Sequence, residues 1–251
     1  MDGEKRAVFL LGINSVLEKF RASPQEVFEV LIARGRQRAA LHLIDKEARR
    51  QGLPVCYLES EALDRLVDGR KHQGVVAKVD SYSYGLFANL LQDLPSLPRH
   101  DWILVLDGLT DPHNFGALLR SAEGVGIRHV IIPKDRSVGV TPTVVKSSAG
   151  AVYYLKICRV SNLRRALLTL KEKGYWVIGL DAEAKEGVYG RVYPEKLVVV
   201  LGAEGAGIRP LIRRECDFLA SIPMRGKIAS LNVSVAGGIF LYELLRQKGQ
   251  A

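Results

Sequence analysis

Short apolar runs alternate with longer amphipathic segments through the second half of the chain, and this alternation constrains the fold more than any other feature. Runs such as ILVL at 103–106, VIIP at 130–133 and VVVL at 198–201 have the length of buried strands, and segments with helical spacing lie between them. This pattern predicts an α/β fold with a mainly parallel sheet and helices on both faces. No run reaches the roughly 18 apolar residues that span a membrane, so we expect no membrane segment.

The first 79 residues show the same alternation on a smaller scale. The expected elements are strands at 8–12, 27–33, 55–58 and 74–79, helices at 13–20 and 41–51, and a third helix capped by Ser60. Residues 80–100 have little charge and contain Pro95 and Pro98, which is typical of a linker. We therefore predict a small α/β domain at 1–79, a linker at 80–100 and a larger domain at 101–251.

Local signals place several elements of the larger domain. Asp111-Pro112 is a strong helix start, with the aspartate as cap and the proline in the first helical position. Ser161 predicts the cap of a helix at 163–173, and Ser230 predicts the cap of a helix that begins at Leu231. The other expected elements are helices at 143–150 and 210–215 and strands at 152–160, 175–180 and 218–224.

The net charge of +9 and the pI near 9.5 favour a polyanionic partner, although many soluble proteins are merely basic. Six cations of the first domain lie close together in the sequence: Arg34, Arg36, Arg38, Lys46, Arg49 and Arg50. This cluster is a candidate contact for a phosphate backbone. A solvated charged face explains any single one of these residues at least as well.

Three cysteines, Cys56, Cys158 and Cys216, lie far apart, and no pair has the spacing of a zinc site. Their odd number also argues against a disulfide framework. Buried free thiols in a reducing cytosol are the simplest interpretation. We therefore expect a cytoplasmic protein without a bound metal.

Three stretches place polar residues just past the ends of expected strands, at 105–126, 197–208 and 221–242. These polar residues are Asn114, Glu204, Ser230 and Asn232. In a parallel sheet ligands bind at the carboxyl ends of the strands, so the three stretches are expected at one rim. Small residues at 234–238 indicate close backbone approach, because glycine inside a helix costs about 1 kcal/mol relative to alanine.

The glycines of GAEGAG at 202–207 have a second interpretation. A glycine-rich turn after a strand can bind a dinucleotide, which would make the protein an NAD-dependent oxidoreductase. The spacing is G-x-x-G-x-G rather than G-x-G-x-x-G, and no acidic residue lies about 20 positions further on. A purely structural turn is the third possibility.

The three stretches, in this order, resemble the SpoU/TrmH branch of the SPOUT methyltransferases, which are S-adenosylmethionine-dependent RNA 2'-O-methyltransferases. The match includes Asn114 and Arg120, then Glu204, then Ser230 and Asn232. It extends over essentially the whole chain, since GINSVLE and HQGVVAKV near the start fit the same subgroup. The resemblance implies a C-terminal trefoil knot, an L30e-like RNA-recruiting domain at the N-terminus and a homodimer.

The resemblance also implies which residues act. The implied cofactor contacts are backbone groups near Gly202, Ile222 and Leu231, and the implied catalytic residues are Arg120, Asn114, Glu204, Ser230 and Asn232. The implied substrate is a guanosine of large-subunit rRNA. Transfer RNA as substrate, and a non-catalytic rRNA-binding factor, stay open as alternatives. Arg225 and Lys227 depart from the small neutral loop that is usual in the subgroup.

Two questions about Arg120 stay open from the sequence. Arg120 could remove the hydroxyl proton, which is demanding for a group with a pKa above about 12, or it could clamp a phosphate or stabilise the developing alkoxide. Asn114 and Arg120 are six residues apart, which places them on different faces of a regular helix. Either the helix begins after Asn114, or the two residues serve different parts of the site.

Overall fold

Two compact units make up the protein. The computed structural model describes residues 7–35, 39–96, 101–228 and 230–249. The first unit contains Met1–Ser83 and Val140–Tyr154, and the second contains Tyr84–Gly139 and Leu155–Ala251. The domain boundaries expected from the sequence, and the knot, stay predictions.

A four-stranded sheet lies at the centre of the first unit. Its strands are β1 (Ala7–Leu11), β2 (Val27–Ala33), β3 (Val55–Leu58) and β4 (Val75–Asp80). They follow the order β1-β4-β2-β3, in which β4 pairs antiparallel with β1 and β2, and β3 pairs parallel with β2. The helices of this unit are α1 (Ile13–Ala22), α2 (Ala39–Arg50), α3 (Ser60–Leu66) and α6 (Pro142–Ser147), with 3-10 turns at Pro24–Glu26 and Ala151–Tyr154.

Residues 140–154 belong to the first unit because they pack against α1. Lys19 of α1 is only 1% exposed; its ammonium group pairs with Glu26 and lies 4.6 Å from the ring centroid of Tyr153. The Tyr154 hydroxyl donates a hydrogen bond to the Glu18 carboxylate at 2.6 Å. The buried lysine is thus paired with both a carboxylate and an aromatic face, as a buried charge requires.

Six parallel strands organise the second unit. They are β5 (Asp101–Asp107), β6 (His129–Pro133), β7 (Lys156–Val160), β8 (Trp176–Leu180), β9 (Lys196–Gly202) and β10 (Phe218–Ala220), in the order β10-β8-β9-β5-β6-β7. The helices are α4 (Phe87–Asp93), α5 (Pro112–Gly124), α7 (Leu163–Glu172), α8 (Pro210–Arg213) and α9 (Val233–Lys248), with a 3-10 turn at Leu94–Ser96.

Helices cover both faces of this sheet, which confirms the predicted fold class. On one face, buried side chains of α4, α7 and α8 pack on the sheet in a single core, which includes Leu90, Leu167 and Ile212. On the other face α5 and α9 pack against each other. A Cβ atom on Gly237 would lie 2.4 Å from Leu118 and 2.7 Å from Leu201. Close approach of α9 therefore requires glycine there, as the small residues of the sequence indicated.

Two predicted helix caps in the larger domain are wrong. α9 begins at Val233 with Asn232 as its cap, not at Leu231 with Ser230. α7 is capped by Asn162, whose side-chain oxygen accepts from the Arg165 N–H at 3.0 Å, not by Ser161. In both cases asparagine replaces a nearby serine as cap, and the two residue types have similar cap preference. In the first unit, Ser60 was expected to cap α3, but it is the first residue of that helix and Glu59 occupies the cap position.

Three predicted spans are also wrong. The strand expected at 152–160 is a 3-10 turn at Ala151–Tyr154 followed by β7. The helix expected at 143–150 ends at Ser147, and Ala149 has a φ of 51°, outside the helical region. The strand expected at 218–224 ends at Ala220, and Ser221 forms an isolated parallel bridge with Gly187 outside the strand.

Candidate active site

A cavity of about 480 Å³ lies at the carboxyl edge of the parallel sheet, where β8, β9 and β10 end. This is the edge at which open α/β sheets bind ligands, and the volume is within the range of about 300–1,000 Å³ that is usual for small-molecule sites. All three expected cofactor contacts and three of the expected catalytic residues line it: Gly202, Ile222, Leu231, Glu204, Ser230 and Asn232.

The wall formed by residues 202–208 is a tight backbone loop. Ala203 and Gly207 exchange two backbone hydrogen bonds of 3.0 and 2.8 Å, so the chain folds back on itself directly after β9. A Cβ atom on Gly202 would lie 2.0 Å from the Gly207 carbonyl carbon. Only glycine fits at position 202, and main chain therefore forms this part of the cavity wall.

Asn114, Glu204 and Asn232 form one hydrogen-bonded cluster at this cavity. The Glu204 Oε1 atom accepts from Asn114 Nδ2 at 2.5 Å and from Asn232 Nδ2 at 2.9 Å. Asn232 Nδ2 also donates to Asn114 Oδ1 at 3.0 Å. Residues separated by up to 118 positions thus meet at one point, and each comes from a different one of the three stretches.

Asn232 has two functions in this geometry. Its side-chain oxygen accepts from the N–H groups of Ser234 at 2.9 Å and Val235 at 3.3 Å, which caps α9. Its side-chain nitrogen donates to the cluster described above. Asn232 therefore sets the start of α9 and, together with Asn114, the orientation of Glu204. Ser230 lines the cavity without taking part in the cap.

Asn114 is positioned by the start of α5. The Asp111 carboxylate accepts from the N–H groups of His113 at 3.3 Å and Asn114 at 3.0 Å, and Pro112 occupies the first helical position. The predicted Asp-Pro helix start is confirmed. Asn114 is accordingly inside the helix, so the possibility that α5 begins after it is wrong.

Arg120 does not line the cavity. It is exposed on α5, displaced from Asn114 by about 9 Å along the helix axis and by about 120° around it. Within one chain, the structure therefore brings together four of the five expected catalytic residues and leaves Arg120 on a different face.

Sequence reasoning missed an ion pair that fixes the exit of the 202–208 loop. The Asp107 carboxylate at the end of β5 is 0% exposed and pairs with the Arg209 guanidinium at 2.5 Å. In the sequence, the only sign of this pair is a carboxylate at the end of an otherwise apolar strand. Nothing in the spacing of 102 residues points to its partner.

A second rim carboxylate, Asp181, follows β8 and lines the cavity. Burial pushes the pKa of this carboxyl upward, but the Arg213 guanidinium, 2.6 Å away, and the Glu183 N–H outweigh burial and lower the pKa. Asp181 is therefore an anion at neutral pH. It holds α8 against the rim through Arg213.

The three thiols add little chemistry to the site. Cys56 is exposed, so the expectation of a buried thiol is wrong for it; burial raises the pKa of Cys158 to about 11 and of Cys216 to about 12. Among the described residues, no group of three or more His, Cys, Asp and Glu could hold a metal ion. No helix in the described part of the chain is long and apolar enough to cross a membrane.

The fold and the cavity define a parallel α/β protein with a ligand cleft bounded by three loops. The chain belongs to the SpoU rRNA methylase family, whose model matches residues 101–242. A second model, for the substrate-binding domain of RNA 2'-O ribose methyltransferases, matches residues 9–85.

Full-length relatives share about two fifths of their residues with this chain. The 23S rRNA (guanosine-2'-O-)-methyltransferase RlmB of Xylella fastidiosa is 41% identical over 97% of this chain and 98% of its own length. The RlmB of Salmonella typhimurium is 40% identical over 95% of this chain and 98% of its own length. The crystal structure of AviRb from Streptomyces viridochromogenes, a SpoU methyltransferase in complex with AdoMet, has a TM-score of 0.80 at 23% identity and covers 98% of this chain and 92% of that one.

Proposed function

We propose that the protein transfers a methyl group from S-adenosylmethionine to the ribose 2'-hydroxyl of a guanosine in large-subunit rRNA. The observation that supports this most is the meeting of Asn114, Glu204 and Asn232 beside a backbone-walled cavity. Family membership and relatives named guanosine-2'-O-methyltransferases support the substrate.

The cavity fits S-adenosylmethionine. Backbone groups near Gly202, Ile222 and Leu231 can reach the adenine and ribose, because the tight, glycine-rich 202–208 loop brings its main chain to the cavity. The cofactor, when bound, supplies a methyl group that is already activated by the sulfonium charge. The NAD interpretation lacks support, since the glycine spacing differs from the dinucleotide fingerprint.

Glu204 is arranged to orient an incoming hydroxyl group. Both amide donors bind its Oε1 atom, and no hydrogen bond to Oε2 occurs among the described residues. Oε2 is therefore available to accept from a ribose hydroxyl, and the two asparagines hold the carboxylate in place while it does so. Orientation of the nucleophile toward the donor is a large part of what such a transfer requires.

Arg120 requires a second copy of the chain to act at this cavity. α5 and α9 pack together, and Val235 and Tyr242 of α9 are about half exposed, at 49% and 53%. We infer that this helical face pairs in a homodimer and that Arg120 serves the partner's cavity. Because a guanidinium has a pKa above about 12, Arg120 acts as an electrostatic clamp on phosphate or on the developing alkoxide rather than as a base.

The first unit is proposed to recruit the RNA. Three of the six expected contact cations form ion pairs at the surface of this unit. Arg49 is bonded to Asp45, Arg50 to Glu47, and Arg34 lies 3.8 Å from Glu59. Lys46 is exposed and has no ion pair among the described residues, whereas Arg36 and Arg38 lie outside the described residues.

Two measurements on purified protein test the proposed function. Titration with S-adenosylmethionine and with NAD should show binding of the first only. Incubation with labelled cofactor should label unmodified large-subunit rRNA and not transfer RNA. Cofactor binding without methyl transfer to either RNA would support the alternative of a non-catalytic rRNA-binding factor. Preferential labelling of transfer RNA would support the alternative of a transfer-RNA methyltransferase.

A further inference from the structure

A basic surface lies on the second unit at the carboxyl ends of β6 and β7. It consists of Lys134, Arg136 and Arg159, which we call the rim cations; all three are exposed. None of them forms an ion pair with a carboxylate in the part of the chain that the structure describes. Asp135, also exposed, is the opposing charge in the same loop.

The loop that contains Lys134 and Arg136 is fastened to the active-site rim. The Lys134 N–H donates to the Val160 carbonyl at 2.9 Å. Further on, the Val138 N–H and the Ser137 hydroxyl both donate to the Leu109 carbonyl, at 2.8 and 3.3 Å. Leu109 lies two residues before Asp111, the cap of α5, and so the loop continues the same rim as Asn114.

Arg136 has a strained backbone. Its φ of 56° is in the left-handed region, where a side chain is unfavourable and glycine or asparagine is usual. The Arg136 carbonyl oxygen would lie 3.7 Å from a Cβ atom on Gly108, so the strained residue directly adjoins the turn after β5. Such a conformation persists only where the surrounding structure holds it, and here it fixes the exposed Arg136 at the carboxyl edge of the sheet.

Arg159 is held over an aromatic ring. Its guanidinium carbon lies 4.3 Å from the ring centroid of Tyr84. A Cβ atom on Gly139 would lie 2.6 Å from the Arg159 guanidinium nitrogen and 2.8 Å from the Tyr84 hydroxyl, so glycine makes room for this stack. A stacked arginine with unpaired N–H groups is pre-organised to bind phosphate.

We propose that the rim cations bind the phosphate backbone of the acceptor RNA beside the methyl-transfer cavity. This inference rests on the proposed function, because it gives the RNA a second anchor on the unit that holds the cavity. Phosphates on either side of the reacting ribose must pass close to the rim when its 2'-hydroxyl enters. Fixed cations there hold the strand in register without reading bases.

The test compares a rim variant with a matched control at the other end of the same strand. The rim variant is Lys134→Gln with Arg136→Gly, which removes two charges and also relieves the strained φ. The control is Arg128→Gln, an exposed arginine directly before β6 at the opposite edge of the sheet. Each protein is titrated with an unmodified large-subunit rRNA transcript at several salt concentrations, and separately with S-adenosylmethionine.

We expect the rim variant to bind the transcript at least about tenfold more weakly than wild type at low salt. The slope of log affinity against log salt should fall by about 0.7 for each lost phosphate contact, or about 1.4 in total. Cofactor affinity should be unchanged and thermal stability unchanged or raised. Arg159→Gln should weaken RNA binding in the same direction, and the control should alter neither affinity nor slope.

Three results would overturn the inference. The first is equal RNA affinity and salt slope in wild type and rim variant, and the second is an equal loss of RNA affinity in the control. The third is a loss of cofactor binding in the rim variant, which would make the loop a part of the cavity wall. Failure of the proposed function is distinguishable from these. In that case the wild type itself would transfer no methyl group to RNA, whatever the rim variant binds.

Discussion

The buried Asp107 carboxylate accepts three hydrogen bonds from Arg209. Its oxygens bind the Arg209 backbone N–H at 2.9 Å, Nε at 2.7 Å and Nη2 at 2.5 Å. Asp107 also faces Gly202 in the register of β5 and β9. The pair therefore fixes the point at which the loop that contains Glu204 returns to the sheet.

Removal of the arginine should leave this carboxylate buried without a counter-charge. We predict that Arg209→Met lowers the free energy of unfolding by about 3 kcal/mol. This value is at the lower end of the range for breaking a buried ion pair, because the Arg209 side chain is 46% exposed. Urea denaturation measures the loss. The exposed pair between Arg34 and Glu59 is the control, and Arg34→Met should cost at most about 1 kcal/mol.

The double variant Asp107→Asn with Arg209→Met separates stability from function at this pair. It contains no unpaired buried charge and should recover most of the lost stability, yet its affinity for S-adenosylmethionine should stay low because the loop exit is no longer fixed. Wild-type affinity in the double variant would show that the pair only stabilises the fold.

Gly202 should tolerate no side chain. We predict that Gly202→Ala weakens binding of S-adenosylmethionine at least about tenfold, because the new Cβ atom overlaps the Gly207 carbonyl carbon and overpacking costs about 1–3 kcal/mol. Calorimetric titration measures this change. Gly187→Ala is the control, since its Cβ atom would have ordinary contacts of 3.6 and 3.9 Å. Equal effects of the two substitutions would contradict a backbone-walled cavity.

Arg120 should affect transfer and not cofactor binding. We predict that Arg120→Ala lowers the rate of methyl transfer by about 100-fold or more, the usual effect of losing a donor at a developing negative charge. Its affinity for S-adenosylmethionine should stay near that of wild type, because Arg120 is exposed on α5 away from the cavity of its own chain. Full turnover by the purified variant would remove Arg120 from the catalytic residues.

His129 should make stability depend on pH. Burial lowers the pKa of this imidazole, and the nearby Asp101 and Asp93 carboxylates oppose that shift only in part. The unfolded chain therefore takes up a proton near the ordinary pKa of about 6.5 while the folded protein does not, and stability falls as the pH drops below that value. Urea midpoints at pH 7.5 and 5.5 measure this loss.

In His129→Leu the difference between those two midpoints should become smaller. His42→Gln, at an exposed position of α2, is the control and should leave the difference unchanged. A wild-type midpoint that is the same at both pH values would refute the expected role of His129.

The parallel sheet and the meeting of the three stretches were predictable because both depend on local patterns. Apolar runs such as β9 mark buried strands, and polar residues past strand ends mark a rim. The exact cap of α9 was not predictable, since Ser230 and Asn232 are both good caps and the choice depends on the distant Glu204.

The ion pair between Asp107 and Arg209 was not predictable for the same reason. Its existence depends on the return path of the 202–208 loop, which no local pattern specifies. The place of residues 140–154 beside α1 likewise depends on contacts such as that between Tyr153 and Lys19, which are far apart in the sequence.

Mapping of the methylated nucleotide tests the central claim most directly. Unmodified large-subunit rRNA is incubated with the protein and tritium-labelled S-adenosylmethionine, and the label is located by nuclease digestion. We predict label on the ribose 2'-oxygen of a guanosine, and labelling at least about 100-fold slower with Arg120→Ala. Label on a base, or no label on any RNA from protein that binds the cofactor, would contradict it.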